Sequence, residues 1–387
     1  MNKKQIYLDH NSTTYVDPNV LDIMKNCLVN FYANPSSIYQ SANKVKEKLS
    51  EAQDSLKKIF NIQKGKFIFT GNGSESDNLA IKGVAFANKN KGKHIITSQI
   101  EHHAVLHTCN YLEKCGVEVS YAPVNSKGIV DINYIKDKIR DDTILVSIMY
   151  ANNETGVIQP IEDISQITKQ KNVLFHTDAV QAAGKLDLDL SSLGVDLLSI
   201  SAHKFYGPKG VGALFLNEKV KIDPLIHGGS QEYNLRAGTE NVPGIIGLVE
   251  ALKIAQKNSQ QEYLREKKLR DTLEKGIINK IPDCIVNGDI DNRLTNTSNI
   301  IIKYVEGESI LLHLDAVGIF ASSGSACTSG SLEPSHVLLA MGISHDLAHG
   351  SLRFSFGKIN TMEDVDYVLE VLPNIIKKLR AMSPFGK

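Results

Sequence analysis

The sequence predicts an α/β protein: a large domain with a mostly parallel seven-stranded sheet between helices, followed by a smaller α+β domain. Three observations predict this fold. Short runs rich in Val and Ile alternate with helix-like segments between residues 66 and 216, as is typical of a parallel sheet covered on both faces. A long helical stretch follows from Pro243 to Glu274 and becomes strongly charged from Gln260. Beyond it, strand-like and helix-like runs mix in an α+β pattern.

The individual elements follow from the apolar runs and the turn residues between them. The predicted strands of the large domain are Lys66–Thr70, His94–Ser98, Glu118–Ala122, Thr143–Met149, Val173–Thr177, Leu197–Ser201 and Gly212–Leu216. The last two lie too close for a helical crossover, so one of them is expected to run antiparallel. The elements predicted for the smaller domain are the strands Asn299–Lys303, Ile319–Ser322 and Leu352–Ser355 and the helices Ser309–Leu314 and Met362–Met382. We expect the large domain to span residues 15–260 and the small domain to combine residues 1–14 with 261–387.

Composition excludes several classes of function. Lys and Arg together number 43, as do Asp and Glu, so the chain has no net charge that would attract nucleic acid or an anionic membrane. The N-terminus has no apolar signal region, and no stretch is long enough and free enough of charge to span a bilayer. The five cysteines are scattered without a Cys-x-x-Cys pair, which fits a reducing compartment and neither a disulfide framework nor a zinc site. We expect a cytoplasmic protein without a metal.

Lys204 is the first candidate for chemistry. The stretch Ser201-Ala202-His203-Lys204 ends an apolar run and precedes the turn-rich Gly207-Pro208-Lys209-Gly210. Loops that follow strands usually carry the chemistry of an α/β fold. A lysine held there with hindered solvation can form an imine with an aldehyde. The alternative is a solvated lysine at the end of a strand.

Two other predicted strands also end in polar residues. Lys66–Thr70 opens into residues 71–76, Gly-Asn-Gly-Ser-Glu-Ser, which form either a cup for one phosphate or a turn with a helix cap. The segment lacks the Gly-Lys-Ser/Thr of a P-loop, and Ser76 replaces the third glycine of a dinucleotide fingerprint. Asp178, with Gln181 one helical turn on, either caps a helix or keeps a heteroaromatic nitrogen protonated.

Three further segments leave two interpretations each. His102 and His103 lack metal-ligand spacing and form either an exposed pair or a catalytic site where an imidazole stacks on a planar ring and later moves a proton. Small and hydroxyl residues dominate 321–331 and predict a loop, in which Cys327 is either reactive or buried and inert. Arg236 and Arg353 each bind a carboxylate or phosphate, or form surface ion pairs.

Taken together, these segments strongly resemble the cysteine desulfurases of the NifS/IscS type, which are fold-type-I pyridoxal phosphate enzymes of the class-V aminotransferase family. The match runs nearly end to end, from Tyr7-Leu8-Asp9 to Leu352-Arg353-Phe354-Ser355. Its sharpest motifs are Phe-Thr-Gly-Asn-Gly-Ser-Glu-Ser-Asp-Asn at 69–78, Ala-Asn-Asn-Glu-Thr-Gly at 151–156, His-Lys-Phe-Tyr-Gly-Pro-Lys-Gly at 203–210, and 322–328. Several long motifs occur in the right order, and such a match is not expected by chance.

The resemblance implies a role for each candidate residue. Lys204 corresponds to the lysine that binds the cofactor as an imine, and Asp178 to the partner of its pyridine nitrogen. The remaining residues that would contact pyridoxal phosphate are Gln181 and Asn153 at the phenolic oxygen, His102 stacked on the ring, Gly73, Ser74, Ser201 and His203 at the phosphate, and Thr239 from the second subunit of a homodimer. Asn34 and Arg353 would hold the substrate carboxylate. His103 does not match the stacking position.

Cys327 falls on the catalytic cysteine of the family, in a loop at about 321–334. The resemblance therefore implies conversion of L-cysteine to L-alanine, with a persulfide formed on Cys327 and passed to an iron–sulfur scaffold protein. The alternatives are a selenocysteine lyase, another aminotransferase-like enzyme, or a non-catalytic sulfur carrier; transamination needs no protein thiol, so Cys327 favours the desulfurase. Two positions depart from the family pattern: Asn72 replaces a glycine of the phosphate loop, and Ser12 replaces a common alanine.

Overall fold

The structure of the protein is a computed structural model that describes residues 5–323 and 333–382. The strands of this part of the chain are β1 (Ile6–Tyr7), β2 (Lys66–Thr70), β3 (His94–Ser98), β4 (Glu118–Ala122), β5 (Thr143–Ser147), β6 (Leu174–Asp178), β7 (Leu197–Ser201), β8 (Gly212–Leu216), β9 (Cys284–Val286), β10 (Thr297–Ile302), β11 (Ile319–Phe320) and β12 (Ser351–Ser355). The helices are α1 (Pro18–Asn30), α2 (Gln40–Ile59), α3 (Gly73–Ala87), α4 (His103–Lys114), α5 (Ile132–Lys138), α6 (Ile161–Gln170), α7 (Leu190–Leu193), α8 (Gln231–Asn234), α9 (Val242–Lys280), α10 (Gly307–Ala316), α11 (His336–Ala340), α12 (His345–Ala348) and α13 (Met362–Met382), with a short 3-10 helix at Ala202–Lys204.

The predicted seven-stranded sheet is confirmed. Its strands lie in the order β2-β8-β7-β6-β5-β3-β4. β8 pairs antiparallel with both β2 and β7, while the other neighbours are parallel, so every strand of this sheet except β8 points the same way. The expected antiparallel strand is therefore β8. Because the carboxyl ends of the other strands meet at one edge, the residues that follow β2, β3, β6 and β7 come together there.

Apolar side chains cover both faces of this sheet. Along β3 and β5, Ile96 and Val146 pack into one buried cluster, whereas Ile95 and Leu145 pack into another. Successive side chains of a strand point to opposite faces, so the two clusters lie on opposite sides of the sheet. This double burial explains why these strands are continuous apolar runs rather than alternating ones.

A second core lies around the C-terminal elements. The antiparallel sheet β12-β10-β9 and the parallel pair β1-β11 contribute to it, and Ile6 and Phe354 are among its buried members. Helix α9 connects the two cores, since Leu248 belongs to the first and Leu273 to the second. The domain division at residues 15 and 260 remains our prediction.

A few element boundaries differ from the prediction. Strand β5 ends at Ser147 instead of Met149, whose N–H donates to Glu101 Oε1 at 3.0 Å. Strand β6 is shifted by one residue and includes Asp178, which pairs with Ser199 of β7. Helix α9 runs to Lys280, beyond the predicted end at Glu274, because Ile277 is also buried. Among the described residues, no helix combines the length and the apolar character needed to span a bilayer.

Candidate active site

A cavity of about 350 Å³ opens at the edge of the large sheet where the parallel strands end. It brings together most of the predicted site residues, namely Gly73, Ser74, His102, Asn153, Asp178, Gln181, Ser201, His203, Lys204 and Arg353. It also contains residues that are not among the predicted site residues, namely Asn11, Ser12, Asn72, Asp77, Met149, Ala151 and Val180.

Three predicted site residues are not part of this cavity. Thr239 is exposed and does not line it. Asn34 is also exposed, and its Oδ1 accepts a hydrogen bond from the Ser36 N–H at 2.9 Å. Cys327 lies outside the described residues. The roles given to these three residues stay predictions.

Lys204 lies in the 3-10 helix directly after β7. Its Nζ donates to the main-chain oxygen of Asn11 at 2.6 Å and to that of Ser12 at 2.8 Å. Both acceptors come from the N-terminal segment, more than 190 residues away in the chain. The amine is therefore held at a defined point of the cavity wall by protein groups.

Asp178 ends β6, and its carboxylate is almost fully buried. Oδ1 accepts from the Val180 N–H at 2.9 Å, yet burial raises the pKa of Asp178 to about 6, opposed by the nearby Lys204 amine. Asp77 of α3 lines the same cavity, and burial, reinforced by the charge of Asp178, raises its pKa well above the ordinary range. Two buried carboxyl groups beside one cavity favour a cation there.

His102 precedes α4 and caps it. Its Nδ1 accepts from the Ala104 N–H at 3.1 Å, so the neutral ring carries its proton on Nε2. Burial, followed by the charge of Lys204, lowers the pKa of His102 to about 4, and the imidazole is neutral at physiological pH. His103 does not line the cavity and instead contacts the rings of His107 and His336, each with a centroid distance of 4.8 Å.

The loop after β2 forms a turn with a helix cap, and its role as a phosphate cup remains a prediction. Asn72 caps α3, because its Oδ1 accepts from the Glu75 N–H at 2.8 Å. Its backbone is extended, with φ −176°, so this position does not require a glycine. Gly73 begins the helix, and a Cβ added there would lie only 2.7 Å from Val180 Cγ2. Beside it, the buried Ser201 Oγ has no hydrogen-bond partner, which leaves a donor facing the helix N-terminus.

Arg353 of β12 is buried and faces the cavity. Its Nη2 donates to Asp9 Oδ1 and to Ser12 Oγ, both at 2.7 Å, and its Nη1 donates to the Asn153 carbonyl oxygen at 3.0 Å. Its Nε is buried without a partner. The hydroxyl of Ser12 therefore helps to fix this guanidinium.

The N-terminal segment contributes more to the site than the sequence reasoning foresaw. Besides accepting from Lys204, Asn11 accepts through the same carbonyl oxygen from Gln181 Nε2 at 2.9 Å. The unbroken polar run from Asp9 to Thr14, directly after the apolar residues of β1, is the signal that could have pointed to it. A polar run next to a buried strand needs partners elsewhere in the fold.

Comparisons with known proteins agree with this geometry. The family model described as aminotransferase class-V matches residues 6–368. A protein named cysteine desulfurase IscS from Clostridium botulinum is 53% identical over 383 residues, which are 98% of this chain and 96% of the relative. Another protein of that name, from Methanosarcina thermophila, is 52% identical over 98% of this chain and 94% of the relative. A solved structure titled NifS-like protein superposes with a TM-score of 0.92 at 39% identity and covers 97% of this chain and 100% of that one.

The agreement extends over almost the whole chain, so it includes both cores and every strand end that contributes to the cavity. The identity exceeds one half with both relatives, over 98% of this chain. The chain therefore belongs to the class-V aminotransferase family, within its cysteine desulfurase group.

Proposed function

We propose that this protein is a pyridoxal phosphate-dependent cysteine desulfurase that converts L-cysteine to L-alanine and supplies the sulfur for iron–sulfur cluster assembly. The observation that carries the proposal is the placement of Lys204 and Asp178. Lys204 follows β7, Asp178 ends the adjacent parallel strand β6, and both line one cavity together with the N-terminus of α3. An amine, a buried acid and an anion-binding helix end are the three groups that bind this cofactor.

The residues present fit pyridoxal phosphate. The N-terminus of α3 and the unpartnered Ser201 Oγ offer donors to a phosphate, and the absence of a Cβ at Gly73 lets the phosphate come close to the backbone. Ser74 and His203 line the same part of the cavity. We therefore assign these residues to the phosphate.

The ring would be held by residues at the floor and walls of the cavity. Asp178 would bind the pyridine nitrogen, Gln181 and Asn153 the phenolic oxygen, and the neutral imidazole of His102 would stack on the ring. When bound, this cofactor draws electrons from the substrate α-carbon, and an acid such as Asp178 keeps it electron-poor. Since His102 is neutral, stacking adds no positive charge that would repel the ring nitrogen.

Arg353 would bind the carboxylate of L-cysteine. Its planar guanidinium is held rigidly by Asp9, Ser12 and the Asn153 carbonyl, while Nε still lacks a partner. A preordered fork of this kind suits a carboxylate. We assign Asn34 to the same carboxylate.

The sulfur step would use Cys327. Its thiolate attacks the substrate sulfur, the carbon–sulfur bond breaks, and the carbon gains a proton to give alanine while the sulfur stays on Cys327 as a persulfide. The described residues on either side of its segment are held at the site: the Ser322 N–H donates to the Arg353 carbonyl at 3.1 Å, and Ser335 Oγ bonds to Glu154 Oε2. The described cysteines do not line the cavity.

We further propose a homodimer in which Thr239 reaches the phosphate of the partner subunit, because this exposed residue has no role in its own cavity. An iron–sulfur scaffold protein would take the persulfide from Cys327. The persulfide step needs a reduced thiol, which supports a cytoplasmic location.

The experiment is a sulfur-release assay with L-cysteine that measures sulfide and alanine together. We expect Cys327→Ala to bind pyridoxal phosphate and L-cysteine with unchanged absorbance but to stop releasing sulfide, whereas Cys115→Ala, which removes an exposed cysteine, should retain turnover. Normal turnover by Cys327→Ala would contradict the persulfide mechanism.

A second variant tests the cofactor lysine. Lys204→Ala should fail to trap pyridoxal phosphate covalently on borohydride reduction. Cofactor found attached to another lysine after reduction would contradict the assignment. Sulfur transfer to purified scaffold proteins, with L-selenocysteine assayed in parallel, would separate a desulfurase from a selenocysteine lyase.

A further inference from the structure

A second, smaller cavity of about 40 Å³ lies behind Lys204. Lys204 lines both cavities, while Lys185, Glu266 and Lys358 line only the smaller one. Lys185 follows Gln181 by one helical turn, held by the hydrogen bond from its own N–H to the Ala182 carbonyl at 3.0 Å. The lysine thus lies directly behind the wall of the candidate active site.

The Nζ of Lys185 contacts two amide side chains of that wall. It donates to Gln181 Oε1 at 3.0 Å and to Asn11 Oδ1 at 3.2 Å. Burial lowers the pKa of Lys185 to about 7, opposed by the charge of Glu266. A lysine nitrogen carries at least two hydrogens in either protonation state, so it can make both bonds throughout.

These contacts decide which way each amide faces. Gln181 Nε2 donates to the Asn11 carbonyl oxygen at 2.9 Å, and Asn11 Nδ2 donates to the Asn153 carbonyl oxygen at 3.2 Å. A carbonyl oxygen only accepts, so each amide nitrogen must face it and each amide oxygen must face Lys185. Without Lys185, Asn11 Oδ1 keeps a bond from Asn296 Nδ2 at 3.0 Å, but Gln181 Oε1 loses the lysine donor.

We propose that Lys185 is a positioning residue that fixes the side chain of Gln181 with its N–H₂ group toward the cofactor-binding cavity. The inference rests on the proposed function, because it concerns the side of Gln181 that would meet the phenolic oxygen of pyridoxal phosphate. A phenolate oxygen accepts hydrogen bonds and would be repelled by an amide oxygen. Without Lys185, Gln181 keeps the bond to the Asn11 carbonyl but loses one of the two contacts that set which way its amide faces, and it would therefore bind the cofactor less tightly.

The test is a double-mutant cycle on cofactor affinity. The dissociation constant of pyridoxal phosphate is measured by titrating the cofactor-free full chain, for the parent protein, Lys185→Met, Gln181→Ala and the double variant. We expect Lys185→Met to weaken affinity about tenfold in the parent background and by less than about twofold in the Gln181→Ala background. A loss that is the same in both backgrounds would overturn the inference, because a merely structural effect adds to that of Gln181→Ala.

Lys358→Met is the matched control. Lys358 lines the same small cavity but pairs with Asp17 at 3.0 Å, and its removal should leave cofactor affinity unchanged. If Lys185→Met does not fold, Lys185→Gln takes its place in the cycle. This variant keeps an N–H donor, so its affinity for pyridoxal phosphate should fall less than threefold. A larger fall that is also seen in the Gln181→Ala background would overturn the inference. Failure of the parent protein to bind pyridoxal phosphate or to desulfurate L-cysteine would instead contradict the proposed function.

Discussion

Replacement of Glu101 by Gln is expected to stabilise the protein, and increasingly so as the pH rises. The Glu101 side chain is fully buried, and its Oε1 accepts from Ser98 Oγ at 2.5 Å and from the Met149 N–H at 3.0 Å. Its Oε2 has no partner. Burial raises the pKa of Glu101 from 4.5 to about 8, so the folded protein holds this acid neutral at pH 7. A glutamine keeps the accepting oxygen and never ionises.

The size of the effect follows from the two pKa values. An acid whose pKa is raised on folding contributes stability that is fully present below the unfolded pKa, near 4.5, and is lost as the pH rises to 8. The loss amounts to about 1 kcal/mol at pH 5 and about 3 kcal/mol at pH 7. With an unfolding entropy of about 0.8 kcal/mol/K for a chain of this length, Glu101→Gln should raise Tm by about 1 °C at pH 5 and about 4 °C at pH 7.

Thermal unfolding of the cofactor-free protein between pH 5 and pH 8 measures this difference. Glu47→Gln serves as the control, because Glu47 is exposed on α2 and water solvates its carboxylate in both states. The reasoning is refuted if Glu101→Gln changes Tm by the same amount at every pH, since that result would mean that the pKa of Glu101 is the same in the folded and the unfolded protein.

Two further substitutions test the walls of the candidate active site. Gly73→Ala should weaken pyridoxal phosphate binding about tenfold in a titration of the cofactor-free protein, because its Cβ would lie 2.7 Å from Val180 Cγ2. Unchanged affinity would contradict this steric argument. Ser12→Ala should raise KM for L-cysteine about fivefold with little change in kcat in a steady-state assay, because Arg353 loses one of its acceptors. A fall in kcat at constant KM would contradict that role for Ser12.

The sheet was predictable because each buried strand is a short apolar run bounded by turn residues. The bounds of β2, β3, β4, β7 and β8 agree with the prediction, since nothing but the local pattern sets them. β5 and β6 differ because their ends are decided by distant groups: the Met149 N–H leaves the sheet to bond with Glu101, and Asp178 pairs with Ser199. Contacts of this kind have no local signature.

The same distinction applies to the candidate active site. Residues such as Asp178 and Lys204 could be picked out because each one lies just after a predicted strand. The roles of Asn11, Ser12 and Lys185 were missed, because these residues act through bonds to other parts of the chain: Asn11 to Lys204 across 193 positions, and Ser12 to Arg353 across 341. The family resemblance supplied roles that the residue patterns alone left open, including that of Cys327.

The connection between β7 and β8 determines how the Lys204 amine can move. Both strands are completely buried, and the return between them is closed by bonds from the Gly207 N–H to the Ala202 carbonyl at 2.9 Å and from the Ala202 N–H to the Val211 carbonyl at 3.2 Å. The backbone that carries Lys204 is therefore clamped, and its amine can travel only by rotation of its own side-chain torsions. Such rotations need no loop movement, which takes nanoseconds to microseconds. We therefore expect that turnover does not wait for a movement of the backbone around Lys204.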